Sequence, residues 1–281
     1  MTGRHKIAWK PQNYEARVAS VRIRCLKPMK VLRRQGLPIE LYRERREKDY
    51  RLIIFSKAYH ARDAVETDLS GRFFDLVGWT RAQMHLYRLK QFLTRPANRQ
   101  ALHLVWFDNH KASYGDSGLA HMQKLRPLLE HLQTRYPLTL TIISNSREVL
   151  ETVFRDWKLP LCYVDWSAHT FFAAMRCHQV ALIPIEVNAF TQVKTNNRIA
   201  LSLSLGLGVV ADGIDSYRVF SDCVFLDDWE TGLFAYLEEP GLIHQHTDCA
   251  ARLIQAQFSL PVIARRWRKL IETVCVEPAD E

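Results

Sequence analysis

Short apolar runs and longer helical patterns alternate along nearly the whole chain. Runs at Ile7 to Trp9, Pro38 to Tyr42, Leu52 to Phe55 and Phe73 to Val77 predict four strands in the first third. Between them, a pattern with Val18, Val21, Leu26, Met29 and Leu32 stops at Gly36, and Ala58 to Leu69 and Arg81 to Leu93 also read as helices. A second series begins with LHLVWF at Leu102 to Phe107. It continues through a helix from Leu119 to Arg135, strand Leu138 to Ile143, helix Glu148 to Trp157, strand Cys162 to Val164 and helix Ser167 to Cys177. Strands Val180 to Ile185, Val209 to Ala211 and Val224 to Leu226 follow, with helices from about Trp229 onward. Strictly alternating strands and helices build βαβ units, hence a parallel sheet with helices on both faces. Pro96 to Arg99 is the best linker, so the expectation is an α/β chain of two Rossmann-like domains, 1–97 and 98–281, facing a cleft.

One stretch organises the second series: VALIPIEVNAFTQVKTNNRIALSLSLGLGVVAD, from Val180 to Asp212. It reads as strand, polar loop, helix, strand. Ligands of parallel sheets sit beyond the carboxyl ends of the strands, where the Glu186 to Arg198 loop would lie. That loop also opens a helix, whose unpaired N–H groups and positive dipole end favour an anion. A capped, solvated helix start with Thr195 or Asn196 as N-cap is the competing reading of the same residues. Two further polar strand ends, Asp108 to His110 and Ser144 to Ser146, would converge on the same sheet edge.

Composition narrows the classes. The chain has 281 residues, 47% hydrophobic and 25% charged, an ordinary globular profile. No apolar run approaches the roughly 20 residues that span a bilayer, and MTGRHKIAWKP lacks the apolar core of a secretory signal; a cytoplasmic protein is expected. The six cysteines form no CxxC pair, so buried free thiols are expected rather than a zinc site. A formal charge of +9 suits nucleic acid, an anionic membrane face or a phosphorylated small molecule. Arg265, Arg266, Arg268 and Lys269 around Trp267 fit a peripheral contact with the inner membrane face, or simply the wet side of a final helix. No aromatic-basic motif of the RNA-binding kind is present, so nucleic acid is not the expected partner. Gly206, Gly208 and Ala211 match GxGxxA in spacing but close a helix and enter a strand, so Gly206 is better read as a helix C′ residue. There is no GxxxxGK[ST], GxSxG, HExxH or DxD, and no metal is expected.

Several segments carry a resemblance: LVWFDNH before a GL-initiated helix, LTIISN, SAHTFFAAMRCHQVALIPIE, and KTNNRIALSLSLGLGVVA leading to DSYRVF. Together these resemble the donor-binding half of GT-B glycosyltransferases. KIAWKP, ASVRIRCLKPMKVLRRQG, LIIFSKAY and GRFFDLVG are similar to a shortened acceptor-side domain. The resemblance implies transfer of a sugar from a nucleotide-sugar, a co-substrate rather than a resident cofactor, to a glycan, lipid or protein acceptor. It places Glu186 on sugar hydroxyls, Thr195, Asn196 and Asn197 on phosphate or sugar hydroxyls, and Lys194 and Arg198 on the charge of the leaving group. Asn109, His110, Asn145 and Ser146 would line the same cleft, with Lys10, Ser20 and Arg22 on the acceptor side. The chain also departs from the pattern. Many members carry a second glutamate eight residues after the first, where this chain has Lys194, and a basic pair where it has Asp108 and Asn109, with Ser117 before Gly118. No catalytic base is assigned, and a degenerate domain that only binds a nucleotide or a protein partner is the alternative.

Overall fold

The computed structural model describes residues 6–11, 14–15, 21, 25–44, 49–56, 71–108, 118–145 and 147–275. The chain divides into two compact units. One is built from residues 1–68 and 254–281, the other from 69–253.

In the first unit, β1 (Lys6–Pro11), β2 (Ile39–Leu41) and β3 (Tyr50–Ser56) form a parallel sheet in the order β2-β1-β3. The central strand is paired on both sides, which explains why Ile7, Ala8 and Trp9 are all buried. Helix α1 (Lys27–Arg34) turns Met29 and Leu32 inward and ends at Gly36, whose φ of +86° suits a residue without Cβ. The last helix of the chain returns to this core. Ala264 and Ile271 pack with Ile7, Trp9 and Leu32, and the Trp267 ring stands edge-on 4.6 Å from Trp9.

Helix α2 (Gly71–Thr94) corrects the expected strand at Phe73 to Val77. A five-residue apolar run has too little periodicity to distinguish strand from helix. Here the run is continuous with the Arg81 to Leu93 pattern, and one internal glycine costs only about 1 kcal/mol. Leu89 and Leu93, one turn apart, are buried. The helix packs on the strand Leu161–Asp165, where His85 Nδ1 accepts the Asp165 N–H at 3.1 Å. The expected junction at Pro96 to Arg99 therefore falls inside the second unit, which begins near residue 69, while the final helix belongs to the first unit. The expected helix Ala58 to Leu69 lies outside the described residues, as does most of the segment from Val18 to Arg24.

The second unit holds six parallel strands: β4 (Leu102–Phe107), β5 (Leu138–Ser144), β6 (Leu161–Asp165), β7 (Val180–Ile183), β8 (Gly208–Ala211) and β9 (Phe225–Leu226). Their order is β6-β5-β4-β7-β8-β9. The chain winds outward from β4 to β6, then returns to the middle at β7 and winds the other way, so β4 and β7 flank a topological switch point. Between the strands run α3 (Arg126–Gln133), α4 (Arg147–Val153), α5 (Phe171–Met175), α6 (Ala189–Gln192) and α7 (Asn197–Ser204); α8 (Trp229–Glu238) and α9 (Gly241–Gln257) follow β9, and α10 (Leu260–Cys275) closes the first unit. The helix expected over Leu119 to Arg135 is split. Pro127 supplies no N–H to an α turn, and the residues before it, Ala120–Leu125, wind as a 3-10 helix. Leu104, Trp106, Leu140, Ile142, Leu182 and Val210 form the middle of the core.

Candidate functional site

The carboxyl ends of β4, β7 and β8 deliver Asp108, the Ile185–Glu186 turn and Asp212 to the switch point. Asp212 is nearly buried and joins three elements. Its Oδ2 accepts the Ile185 N–H at 2.6 Å and pairs with Lys124 of the 3-10 helix; its Oδ1 accepts the Trp229 indole N–H at 2.9 Å. The loop after β7 is shaped from within. Asn188 caps α6 by accepting the N–H groups of Phe190 and Thr191, and Thr191 Oγ1 accepts from Asn188 N–H and donates to the Glu186 carbonyl at 2.6 Å. The polar residues of this loop thus fix a definite path into α7, with Asn196 at the N-cap position but making no side-chain cap.

Arg198, in the first turn of α7, reaches back to β4. Its guanidinium donates to Asp108 Oδ2 at 3.2 Å and lies 5.2 Å from the Phe107 ring and 5.7 Å from the Trp106 ring. The side chain is 18% exposed, and its Nε and Nη2 are buried with no hydrogen-bond partner among the described residues. A guanidinium carries five donors, so one carboxylate contact leaves capacity for a further anion. Lys194 stands nearby, its ammonium 5.5 Å from the Phe190 ring. Burial lowers the Lys194 pKa, the Asp108 carboxylate opposes that, and the Arg198 charge lowers it further; the three form one electrostatic cluster. Gly118 makes the close approach possible. With φ at +68°, its missing Cβ would sit 3.0 Å from the Trp106 ring and 3.6 Å from Asp108 Oδ2.

The 3-10 helix that follows carries His121, whose Nε2 lies 3.6 Å from Glu186 Oε2. His121 is largely buried and Glu186 exposed. Burial is the main cause of the lowered His121 pKa, opposed by Glu186 and reinforced by Lys124 and Lys194. At the end of β5, the Ser144 hydroxyl donates to the Asp108 carbonyl at 3.0 Å, and Tyr163 OH donates to the Ser144 carbonyl at 2.9 Å. The buried Tyr217, in the 3-10 segment Asp215–Cys223, has its pKa raised first by burial, and it also feels Arg198 and Asp108.

Of the sequence-expected residues, Glu186, Lys194, Thr195, Asn196, Asn197 and Arg198 share this loop and helix start, and Asn145 follows β5 on the same sheet edge. Asn109, His110 and Ser146 lie outside the described residues, as do Ser20 and Arg22. Lys10 belongs to β1 of the first unit, its ammonium 4.3 Å from the Tyr42 ring. Sequence reasoning missed His121, Lys124, Asp212 and Trp229. The first two sit in what reads as an ordinary amphipathic helix, and no local pattern marks their partners. Among the described residues, no cluster of three or more His, Cys, Asp or Glu is arranged to hold a metal ion, and no helix is long and apolar enough to cross a membrane.

Comparison with family profiles and with curated protein sequences finds no match. Solved structures do match in fold. Anabaena HepE, in complex with UDP, superposes with a TM-score of 0.58 at 11% identity, over 95% of this chain and 100% of its own. Staphylococcus aureus TarM, in complex with fondaparinux, alpha-GlcNAc-glycerol and UDP, gives 0.49 at 10% identity over 61% of this chain. The UDP-forming alpha,alpha-trehalose-phosphate synthase of Burkholderia xenovorans, in complex with glucose-6-phosphate, gives 0.48 at 12% identity over 72%. This chain spans 35% and 49% of the lengths of those two proteins. What this chain shares with HepE is the GT-B fold class, an α/β chain with two parallel-strand sheets.

Proposed function

We propose that this chain is a glycosyltransferase that takes a sugar from a nucleoside diphosphate-sugar without a metal ion. The observation that carries the reading is Arg198: a largely buried guanidinium at a helix start, at the switch point of a parallel sheet, with two nitrogens unpaired among the described residues and Lys194 beside it. HepE, which has the same fold, holds UDP, and this supports a nucleoside diphosphate as the anion. In the proposed reaction the bond from the anomeric carbon to the β-phosphate oxygen breaks and its electron pair stays on the phosphate. Arg198, Lys194 and the α7 N-terminus offset that charge, the role a metal ion fills elsewhere. Thr195, Asn196 and Asn197 bind phosphate or sugar hydroxyls, and Glu186, held near His121, accepts from a sugar hydroxyl. An acceptor hydroxyl attacks the anomeric carbon, and its proton passes to the departing phosphate oxygen or to water. The unit built from 1–68 and 254–281 serves the acceptor, with Lys10 on that side. One observation favours a second reading, a nucleotide-binding domain without turnover: Asp108 already partly neutralises Arg198.

Thermal-shift and calorimetric titrations with UDP, GDP, ADP and CMP, with and without EDTA, test the reading. A nucleotide at about 100 times its dissociation constant stabilises the fold by about 2.7 kcal/mol. One diphosphate is expected to bind independently of EDTA, and Arg198→Ala to weaken it about 10- to 100-fold, the range for a charge-assisted hydrogen bond. Binding by no nucleotide, or binding that Arg198→Ala and Lys194→Ala leave unchanged, sinks the proposal. Binding without release of diphosphate from any sugar conjugate selects the non-catalytic reading.

A further inference from the structure

The six cysteines are unequal. Cys223 ends the 3-10 segment Asp215–Cys223 and Cys249 lies in α9, and their sulfurs are 2.8 Å apart, with both thiols free. A disulfide bond is about 2.05 Å long, so bonding asks for a further approach of about 0.8 Å. Cys223 is 2% exposed, whereas Cys249 is half-buried and open to a small oxidant. We infer that Cys223 and Cys249 form a reversible redox pair, closed to a disulfide by a peroxide. The Cys249 thiolate attacks a peroxide oxygen, giving a sulfenic acid and releasing the other oxygen as water. The Cys223 sulfur then attacks the sulfenic sulfur, and the hydroxyl leaves as a second water with the Cys223 proton. Two thiols and one hydrogen peroxide give one disulfide and two waters; the sulfurs lose two electrons, which the peroxide gains. A dithiol reductant reverses the bond by exchange.

The bond would close a loop containing β9 and α8. The Cys223 side of that loop adjoins the switch point: the segment ending at Cys223 carries Tyr217, whose hydroxyl feels the charges of Arg198 and Asp108, and α8 begins with Trp229 on Asp212. Cross-linking removes conformations from the unfolded chain and stiffens this wall. The inference stands independently of the proposed transferase activity. Burial pushes the Cys223 thiol up to about 12, and a thiol that is rarely ionised resists direct attack on oxidants, so Cys249 is the residue that meets the peroxide.

The test uses the full chain, reduced, desalted and treated with hydrogen peroxide, then alkylated and digested. Trypsin leaves both cysteines in one peptide, 219–252, and Glu-C cuts that peptide between them, after Glu230 and Glu238. The expected result is loss of two alkylatable thiols and two Glu-C fragments held together until dithiothreitol is added. A rise of about 5–10 °C in melting temperature, reversed by reductant, should accompany it. Cys223→Ser should convert the product to an unresolved sulfenic acid at Cys249, trapped by dimedone. The inference is overturned if peroxide leaves both thiols alkylatable, oxidises Cys249 to sulfinic acid without a cross-link in the native chain, or joins either cysteine to a different one. The cross-link is read in the native chain, so a variant that fails to fold does not block the decision.

Discussion

Removing the Asp212 carboxylate tests what holds the candidate site together. Asp212→Ala takes the acceptor from the buried Ile185 N–H and from the partly buried Trp229 indole, and the partner from Lys124. A buried donor left without an acceptor costs about 1–3 kcal/mol, so the two N–H groups together account for about 2–5 kcal/mol, the indole at the lower end because water reaches it. Lys124 is 43% exposed, and solvent replaces most of its pairing. Lys124→Met should therefore cost under about 1 kcal/mol, even though its contact is the one with formal charges. Asp212→Asn keeps one acceptor oxygen and sets an amide NH₂ against one of the donors, so about half of the alanine cost is expected. Urea denaturation followed by far-UV circular dichroism measures this. With m of about 2 kcal/mol/M, Asp212→Ala should lower the midpoint by about 1–2.5 M and Lys124→Met by less than about 0.5 M. Equal losses from the two variants, or a change below about 0.5 kcal/mol in Asp212→Ala, would refute the assignment of the energy to the two N–H groups.

Two other perturbations follow from the same core. His178 is buried, its Nε2 without a hydrogen-bond partner among the described residues, and burial lowers its pKa to about 4; His103 nearby is lowered by the same cause. The unfolded chain binds the proton at about pH 6.5 and the folded one only near pH 4. The stability is therefore complete above pH 6.5 and is lost as pH falls from there toward 4, about 3 kcal/mol in all for His178. His178→Phe should flatten that acid limb in urea titrations at pH 7, 6, 5 and 4; an unchanged slope refutes the attribution. Gly208→Ala brings a methyl within 2.7–3.0 Å of the Tyr236 ring, which is fully buried and held by the Val209 N–H and His246. The ring has nowhere to move, and a loss of about 1–3 kcal/mol is expected; a variant as stable as the parent by thermal denaturation would show that the ring yields.

The sequence by itself determined the second unit's alternation of strands and helices, because strands paired on both sides bury both faces and so appear as continuous apolar runs such as LHLVWF and VALI. It located the polar loop from Glu186 to Arg198 at a strand end, and it identified Gly206 as a helix terminator, where φ is +86°. Local chemistry suffices for such features, since the residues that decide them are neighbours in the chain. FFDLV was ambiguous for the same reason: five residues contain less than two helical turns, and they are resolved only as the start of a helix that runs on to Thr94. Only tertiary structure decided the rest. Arg198 meets Asp108 across 90 residues and Lys124 meets Asp212 across 88, because the strand order, with β4 beside β7, brings loops distant in sequence to one edge. The Cys223–Cys249 pair and the return of α10 to Trp9 have the same origin. Periodicity records which face of an element is buried, whereas the partner that covers it depends on where the sheet places every other element.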